Sequence, residues 1–237
     1  MLPLILCIVF MCIGAITLTL FIIEKIKKYS LKATIIKATT SLFFILVSSV
    51  SLYTKGEHIL AVFVTIGLFF GLLGDIFLDF KYVYKEKHEV PFTYAGFIAF
   101  AIGHAFYISG MFLEYYHGEN VLFIIIPLVV GILMSLINWF LEKPMKLVYG
   151  RYKPISFIYG MFLFSLTGVA LSLSILHHFE STTLIMMIAG GVLFTISDLI
   201  LSGTYFGVGK ERPVDIASNA ITYYMAQFII AFAMFFI

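Results

Sequence analysis

The sequence is poor in charged residues and in cysteine. Only 12% of its 237 residues are Asp, Glu, Lys or Arg, whereas soluble domains carry about 25%. The two cysteines, Cys7 and Cys12, both lie in the first apolar run, which argues against a disulfide framework and a cysteine-based zinc site. With 62% hydrophobic residues and a mean hydropathy of +1.07, the composition predicts a single transmembrane domain over residues 1–237.

Several motifs that would indicate particular chemistries are also missing. The sequence has no HExxH, no GxSxG and no phosphate-binding glycine loop, which argues against zincin, serine-hydrolase and nucleotide-dependent activities. No metal and no cofactor are predicted. Zinc bound by Asp75, His104 and Asp198 stays open as an alternative, since a catalytic zinc site needs three protein ligands and one open position. Topology and attraction to anionic lipid explain the basic loops, so nucleic acid is not a predicted partner.

Long apolar runs divide the chain into eight segments of about 20 residues, the length that a helix needs to cross a bilayer. A β-barrel would show alternating runs of about ten residues, and these runs of Phe, Leu and Ile do not alternate. The fold class is therefore predicted to be all-α, a bundle of eight transmembrane helices with short loops. The predicted spans are 3–23, 35–54, 58–80, 92–113, 121–140, 154–176, 183–203 and 214–237.

The basic residues predict an orientation, because short cytoplasmic loops carry an excess of Lys and Arg. In or beside the first, third, fifth and seventh connections lie 14 of the 15 basic residues, and Lys55 is the exception. Both termini are therefore predicted to face outward, in a bacterial plasma membrane. The 14 residues are Lys25, Lys27, Lys28, Lys32, Lys37, Lys81, Lys85, Lys87, Lys143, Lys146, Arg151, Lys153, Lys210 and Arg212.

Two aspartates lie inside apolar runs, and they are the strongest candidates for functional residues. Asp75 and Asp198 each fall five or six residues from the predicted inner end of a helix. A charged side chain at the bilayer centre costs roughly 2.5–3.5 kcal/mol on insertion scales, so each needs a partner, a proton or a cavity. Other polar residues fall in the same half or nearer the middle, where they would line a polar cavity: Lys37, Ser41, His104, Tyr107, Tyr223, Tyr224 and Gln227.

A weak internal repeat relates the two halves of the sequence. GDIFLDF at 74–80 is similar to SDLILSG at 197–203, and an offset of 123 also aligns His104 with Gln227. The alignment predicts a parallel repeat of four helices each, an arrangement that often places a site at the interface between repeats.

Four segments resemble the YhhN/TMEM86 family of lysoplasmalogenases. They occur in the family's order as GLLGDIFLDF at 71–80, GFIAFAIGHAFYI at 96–108, GGVLFTISDLILSGTYFG at 190–207 and ITYYMAQFII at 221–230. The resemblance runs from about Lys37 to Ile230. The family usually has Lys-Pro where this chain has Lys37-Ala38, and it usually has an apolar residue at the position of Asp79.

The resemblance implies an ether hydrolase that cleaves the vinyl ether bond of a lysoplasmalogen to a fatty aldehyde and a glycerophospho-headgroup. Such a reaction needs one carboxylic acid and one carboxylate, much as in glycosidases. We therefore interpret Asp75 and Asp198 as the catalytic pair, without assigning which is the acid. The predicted substrate and water pocket consists of Lys37, His104, Tyr107, Tyr223, Tyr224 and Gln227.

Two other classes of function remain open from the residues alone. The same aspartates could serve a proton- or ion-coupled transporter or a lipid-binding membrane protein. They could also link helices in a structural protein, where hydrogen bonding to Tyr, Ser or Lys37 would be their whole role.

Overall fold

The computed structural model describes residues 1–27, 30–56, 58–207 and 212–237. Over these ranges the chain forms eight long helices and two short 3₁₀ turns, at Gly150–Tyr152 and Met234–Phe236. All eight helices are long and apolar enough to cross a membrane, so the chain is a multi-pass membrane protein. The helices are α1 (Leu2–Lys27), α2 (Leu31–Lys55), α3 (Ile59–Val83), α4 (Lys85–Tyr115), α5 (Leu122–Phe140), α6 (Lys153–Leu176), α7 (Thr182–Phe206) and α8 (Pro213–Ala233).

Consecutive helices pack as four hairpins: α1 with α2, α3 with α4, α5 with α6, and α7 with α8. Contacts of α2 with α3, of α4 and α7 with α6, and of α8 with α1, α2 and α3 join the hairpins into one bundle. The central helices α3 and α4 make the most extensive contact, while α5 packs mainly on α6 and turns most of its apolar side chains outward. An exposed apolar surface of this kind is what a lipid-facing helix requires.

Side chains at helix ends explain where several helices begin. Ser30 and Ser181 accept hydrogen bonds from the backbone N–H groups of Ala33 and Leu184, which caps α2 and α7. Pro213 stands in the first turn of α8, where its missing N–H costs nothing. The loop after α5 is tied to the end of α7, since Val148 N–H donates to the Phe206 carbonyl at 2.8 Å. This contact holds the loop after α5 against the end of α7, at the same end of the bundle as the candidate site.

The all-α class and the eight apolar helices are confirmed. Most helices are longer than predicted because polar residues extend them beyond the apolar run. In α4 the helix begins at Lys85 and includes Pro91 in its second turn, whereas the predicted span began at residue 92. The outward termini and the parallel repeat stay predictions. Lys28 and Lys210, which contributed to the predicted orientation, lie outside the described residues.

Candidate functional site

An open cavity lies among the helices that carry the two intramembrane aspartates, with about 800 Å³ of empty space when the part open to its surroundings is counted. Asp75 of α3 and Asp198 of α7 both line it, together with residues of α1, α2, α4, α6 and α8. Its wall is mainly aromatic and aliphatic, and includes Phe100 of α4 packed edge-on against Phe194 of α7. The cavity therefore combines an apolar wall with a few polar groups, as binding sites for small molecules commonly do.

Asp75 is buried and is surrounded by hydrogen-bond donors from two neighbouring helices. Its Oδ2 accepts from Ser41 Oγ at 2.6 Å and from the Tyr223 hydroxyl at 2.8 Å, and its Oδ1 lies 3.1 Å from Lys37 Nζ. The Tyr224 hydroxyl lies 3.0 Å from Ser41 Oγ and donates to the Lys37 carbonyl. An ammonium and two hydroxyl donors together stabilise the ionised form of the Asp75 carboxyl.

A second carboxylate and a second lysine extend this cluster. Asp79, one helical turn after Asp75, has its Oδ1 2.8 Å from Lys25 Nζ and 3.6 Å from Lys37 Nζ. Lys25 lies near the end of α1, lines the cavity and packs over the Phe21 ring at 5.2 Å. Two lysines and two aspartates therefore balance each other's charge, which lowers the cost of burying them together.

Behind Tyr223, a chain of side-chain hydrogen bonds leads toward Asp75. The Tyr107 hydroxyl donates to Gln227 Oε1 at 3.0 Å, and Gln227 Nε2 donates to the Tyr223 hydroxyl at 3.1 Å. Two glycines of α3 make room for this chain. A Cβ on Gly71 would lie 2.8 Å from Gln227 Nε2, and a Cβ on Gly67 would lie 2.4 Å from the Tyr107 ring. The small residues in this stretch of α3 are thus needed for close packing.

Asp198 has a much sparser environment. The Tyr159 hydroxyl donates a hydrogen bond to its Oδ2, and the structure shows no lysine or arginine paired with it among the described residues. Tyr159 belongs to α6 and packs edge-on against Phe97, with a centroid distance of 5.5 Å. Asp198 therefore has one neutral donor where Asp75 has an ammonium and two hydroxyls.

His104 lies just behind the cavity wall. Its Nδ1 is 2.7 Å from the Phe100 carbonyl, which accepts the bond if that nitrogen carries the proton. Its buried Nε2 has no hydrogen-bond partner among the described residues. The imidazole packs edge-on against Phe194 at 4.6 Å and Tyr159 at 5.6 Å, so it contacts two rings that do line the cavity.

The structure brings together part of the predicted pocket. Lys37, Tyr223 and Tyr224 line the cavity with both aspartates. His104, Tyr107 and Gln227 are buried in the next layer, in contact with lining residues but outside the wall itself. Among the described residues, no three His, Cys, Asp or Glu side chains are grouped to hold a metal ion, so Asp75, His104 and Asp198 do not form the three-ligand set considered as an alternative.

Sequence reasoning missed Lys25 and Tyr159 as parts of the site. Lys25 was assigned only to the orientation of the chain, yet its ammonium is buried against Asp79. Asp79 is not in the predicted site, because the family usually has an apolar residue at its position. Its spacing of four residues from Asp75 was a usable signal, because i and i+4 positions share one helix face. Nothing in the local sequence of α6 marks Tyr159 as the partner of a residue 39 positions away.

The fold and this cavity define a class of protein: a multi-pass, all-α membrane protein with an ionisable cluster inside the bundle. The chain belongs to the YhhN family, whose model matches residues 32–234. The match begins after α1, the helix that supplies Lys25. Comparison with curated proteins found no match, and comparison with solved structures found none either.

Proposed function

We propose that the protein hydrolyses the vinyl ether bond of a lysoplasmalogen, by proton transfer between two aspartates and without a metal. The observation that carries the proposal is the pair of carboxyl groups in unlike surroundings on one cavity. Membership of the YhhN family is consistent with a hydrolase and supports it further. Protonating a vinyl ether carbon and activating water require one carboxylic acid and one carboxylate.

Asp75 is the carboxylate of the pair. Lys37, Ser41 and Tyr223 all direct donors at it, and such bonds are stronger to an ionised acceptor. Asp198 is the acid. Its single described donor is a phenol, and a carboxyl group in an apolar wall without a cation retains its proton more readily than one beside an ammonium.

The reaction proceeds in steps that restore both groups. Asp198 donates its proton to the β-carbon of the vinyl ether, which leaves an oxocarbenium ion that the Asp75 carboxylate stabilises. Water adds to the α-carbon and gives a proton to Asp75, which forms a hemiacetal. Asp75 then protonates the glycerol oxygen as its bond to the α-carbon breaks, and the hemiacetal hydroxyl returns a proton to Asp198. One water is consumed, and an aldehyde and an alcohol are released.

The headgroup of the substrate lies on the side of the lysines. Lys25 and Lys37 both line the cavity, and their ammonium groups suit a phosphate of glycerophosphoethanolamine or glycerophosphocholine. Phe100, Phe194 and Tyr223 form the wall beside the reacting bond, and Tyr107 and Gln227 hold the Tyr223 hydroxyl in place from behind. His104 positions Tyr159 and Phe194 by ring contact.

Both termini face outward in this proposal, and the charged end of the cavity faces the cytoplasm of a bacterium. The basic connections support this orientation. Fusions of a periplasmic and a cytoplasmic reporter enzyme to the C-terminus test it. Activity of the periplasmic reporter alone is expected, and activity of the cytoplasmic reporter alone would reverse the orientation.

The test of the activity is aldehyde release from 1-alkenyl lysophosphatidylethanolamine by detergent-purified protein. Release is expected from the wild type, with losses of roughly 100- to 10,000-fold in Asp75→Asn and in Asp198→Asn. Glu114→Gln is the matched control, because Glu114 bonds His58 at the other end of α4, roughly 20 Å along the helix from Phe100. Its activity should be unchanged.

Two outcomes would overturn the proposal. Full activity in both aspartate variants would remove their assigned roles. Absence of aldehyde from folded wild-type protein, across several headgroups, would favour the transporter or lipid-binding alternative. That alternative is then tested by ion-coupled uptake into vesicles without any chemical change in the lipid.

A further inference from the structure

A second cavity lies on the other side of Asp198. It is an open cavity with about 510 Å³ of empty space, counted together with the part open to its surroundings, and is formed by α4, α5, α6, α7 and the loop after α5. Five residues line both this cavity and the first one, and Asp198 with its partner Tyr159 is among them: Phe97, Tyr159, Asp198, Leu201 and Tyr205. The proposed acid therefore stands in the wall between two cavities, reachable from either side.

The two cavities differ in charge. The first holds Lys25, Lys37 and Asp75, whereas the described residues that line the second include no lysine or arginine and, apart from Asp198, no acid. Its polar groups gather near the helix ends, where Asn138, Ser156 and Tyr149 lie. Farther toward the middle of the bundle the lining is Leu163, Phe164, Thr195 and Leu199. One side of Asp198 is thus ionic, and the other becomes apolar with depth.

The second cavity also reaches the lipid-facing surface. Leu199 lines it and is nevertheless 43% exposed, and its neighbour Ile196 is 42% exposed on the same helix. A cavity that meets the outer surface of a transmembrane helix at such a residue opens toward hydrocarbon rather than water. A ligand chain can therefore enter from the bilayer without crossing an aqueous phase.

We infer that the second cavity binds the hydrocarbon chain of the amphiphile whose headgroup occupies the first, with the bond to be cleaved at Asp198 between them. This inference deepens the proposed function, since it assigns a subsite for the chain. The chain enters beside Leu199 and lies along Leu163, Phe164 and Thr195. Charge on one side and apolar lining on the other match the two ends of a single-chain lysophospholipid.

The test is photo-crosslinking with a lysophosphatidylethanolamine that carries a diazirine at the end of its chain. Labelled residues in purified wild-type protein are expected within 153–176 and 182–206, the spans of α6 and α7. Thr195→Phe places a ring in the space that the chain occupies and should reduce this labelling by roughly tenfold, which corresponds to a loss of about 1.4 kcal/mol of binding free energy. Ile185→Phe adds the same ring to the exposed face of α7, about 15 Å along the helix from Thr195, and should leave labelling unchanged.

A second variant should change the chain-length preference in the opposite direction. Phe164→Ala enlarges the same part of the cavity, so among vinyl ether substrates of increasing chain length it should shift the preference toward longer chains, while Thr195→Phe shifts it toward shorter ones. If Thr195→Phe does not fold, the chain-length preference of Phe164→Ala decides the test. Labelling centred on other helices, or equal loss of labelling in Thr195→Phe and Ile185→Phe, would overturn the inference.

The crosslinking result is independent of turnover. Labelling of α6 and α7 without aldehyde release would retain the chain subsite and reject the hydrolase. Aldehyde release with chain-length preferences that neither variant changes would retain the hydrolase and reject the subsite.

Discussion

The two intramembrane aspartates occupy similar places in their helices but opposite kinds of environment. Asp75 accepts from Lys37, Ser41 and Tyr223, and Asp79 and Lys25 extend its cluster to four charged groups. Asp198 accepts from Tyr159 and lies in the wall between the ionic cavity and an uncharged one. Identical side chains in one cavity can therefore hold different protonation states, because the neighbours determine which state is stable.

The two aspartates should also differ in how much each contributes to folding stability and to turnover. Breaking a buried ion pair leaves an uncompensated charge, which costs about 3–5 kcal/mol, whereas losing one hydrogen bond costs about 1 kcal/mol. The Asp75 cluster should therefore matter for both folding and turnover, and the Asp198 pair mainly for turnover. The following variants test that difference.

The largest expected effect is on turnover, and replacing either aspartate should produce it. Asp75→Asn and Asp198→Asn should each reduce aldehyde release by roughly 100- to 10,000-fold. Only Asp75→Asn removes a carboxylate that is paired with a buried lysine. The unfolding temperature of Asp75→Asn in detergent should therefore fall by roughly 5–10 °C, whereas that of Asp198→Asn should fall by less than about 2 °C. Equal thermal shifts in the two variants would contradict the difference in environment.

Removing the lysine beside Asp75 should have the next largest effect. Lys37→Met takes away the charge that keeps Asp75 ionised, so turnover should fall by roughly 100-fold, and the unfolding temperature should drop with it. Lys37→Met combined with Asp75→Asn removes both charges. The double variant should unfold at a temperature at least as high as the single lysine variant, as measured by thermal scanning, and a further large drop would refute the ion pair.

The phenol partners of the two aspartates should differ in importance. Tyr159→Phe removes the donor described for Asp198 and should lower turnover by roughly tenfold. Tyr223→Phe removes one of three donors to Asp75 and should lower it by roughly threefold. Both are measured as aldehyde release at saturating substrate. A larger loss of turnover in Tyr223→Phe than in Tyr159→Phe would contradict the prediction that Asp198 depends more on its phenol partner than Asp75 does.

The smallest expected effect tests the second layer behind Asp75. In Gly71→Ala the new Cβ displaces Gln227 from its place behind Tyr223, and turnover should fall by roughly threefold. Gly110→Ala is the control for packing, because its Cβ would lie 2.7 Å from Phe63 Cβ, between α3 and α4 and toward the Glu114 end of α4. Thermal stability should fall at least as much in Gly110→Ala, where a Cβ is met, as in Gly71→Ala, where the end of a flexible side chain is met, and turnover should fall in Gly71→Ala alone. Reduced turnover in Gly110→Ala as well would show that helix packing, and not Gln227, is responsible.

Local patterns in the sequence were sufficient to find the residues around Asp75. Asp75, Lys37, Tyr223 and Tyr224 were selected because each is a polar residue in an apolar run, and the structure places all four on one cavity. His104 was selected for the same reason but lies behind the wall, because position in a helix gives depth and does not give the direction of the side chain. Lys25 was missed because a lysine at a helix end is ordinarily explained by topology.

The sequence by itself determined the class of protein, the eight helices and the presence of two aspartates that require partners. These properties depend on the length and hydropathy of single segments, which can be evaluated without knowing what those segments touch. Only the tertiary structure decided which partner each aspartate has and where Asp198 stands between two cavities. Ser41 is 34 residues from Asp75, Tyr223 is 148 residues from it and Tyr159 is 39 residues from Asp198. Contacts over such separations arise from helix packing, since no short stretch of sequence contains both members of a pair.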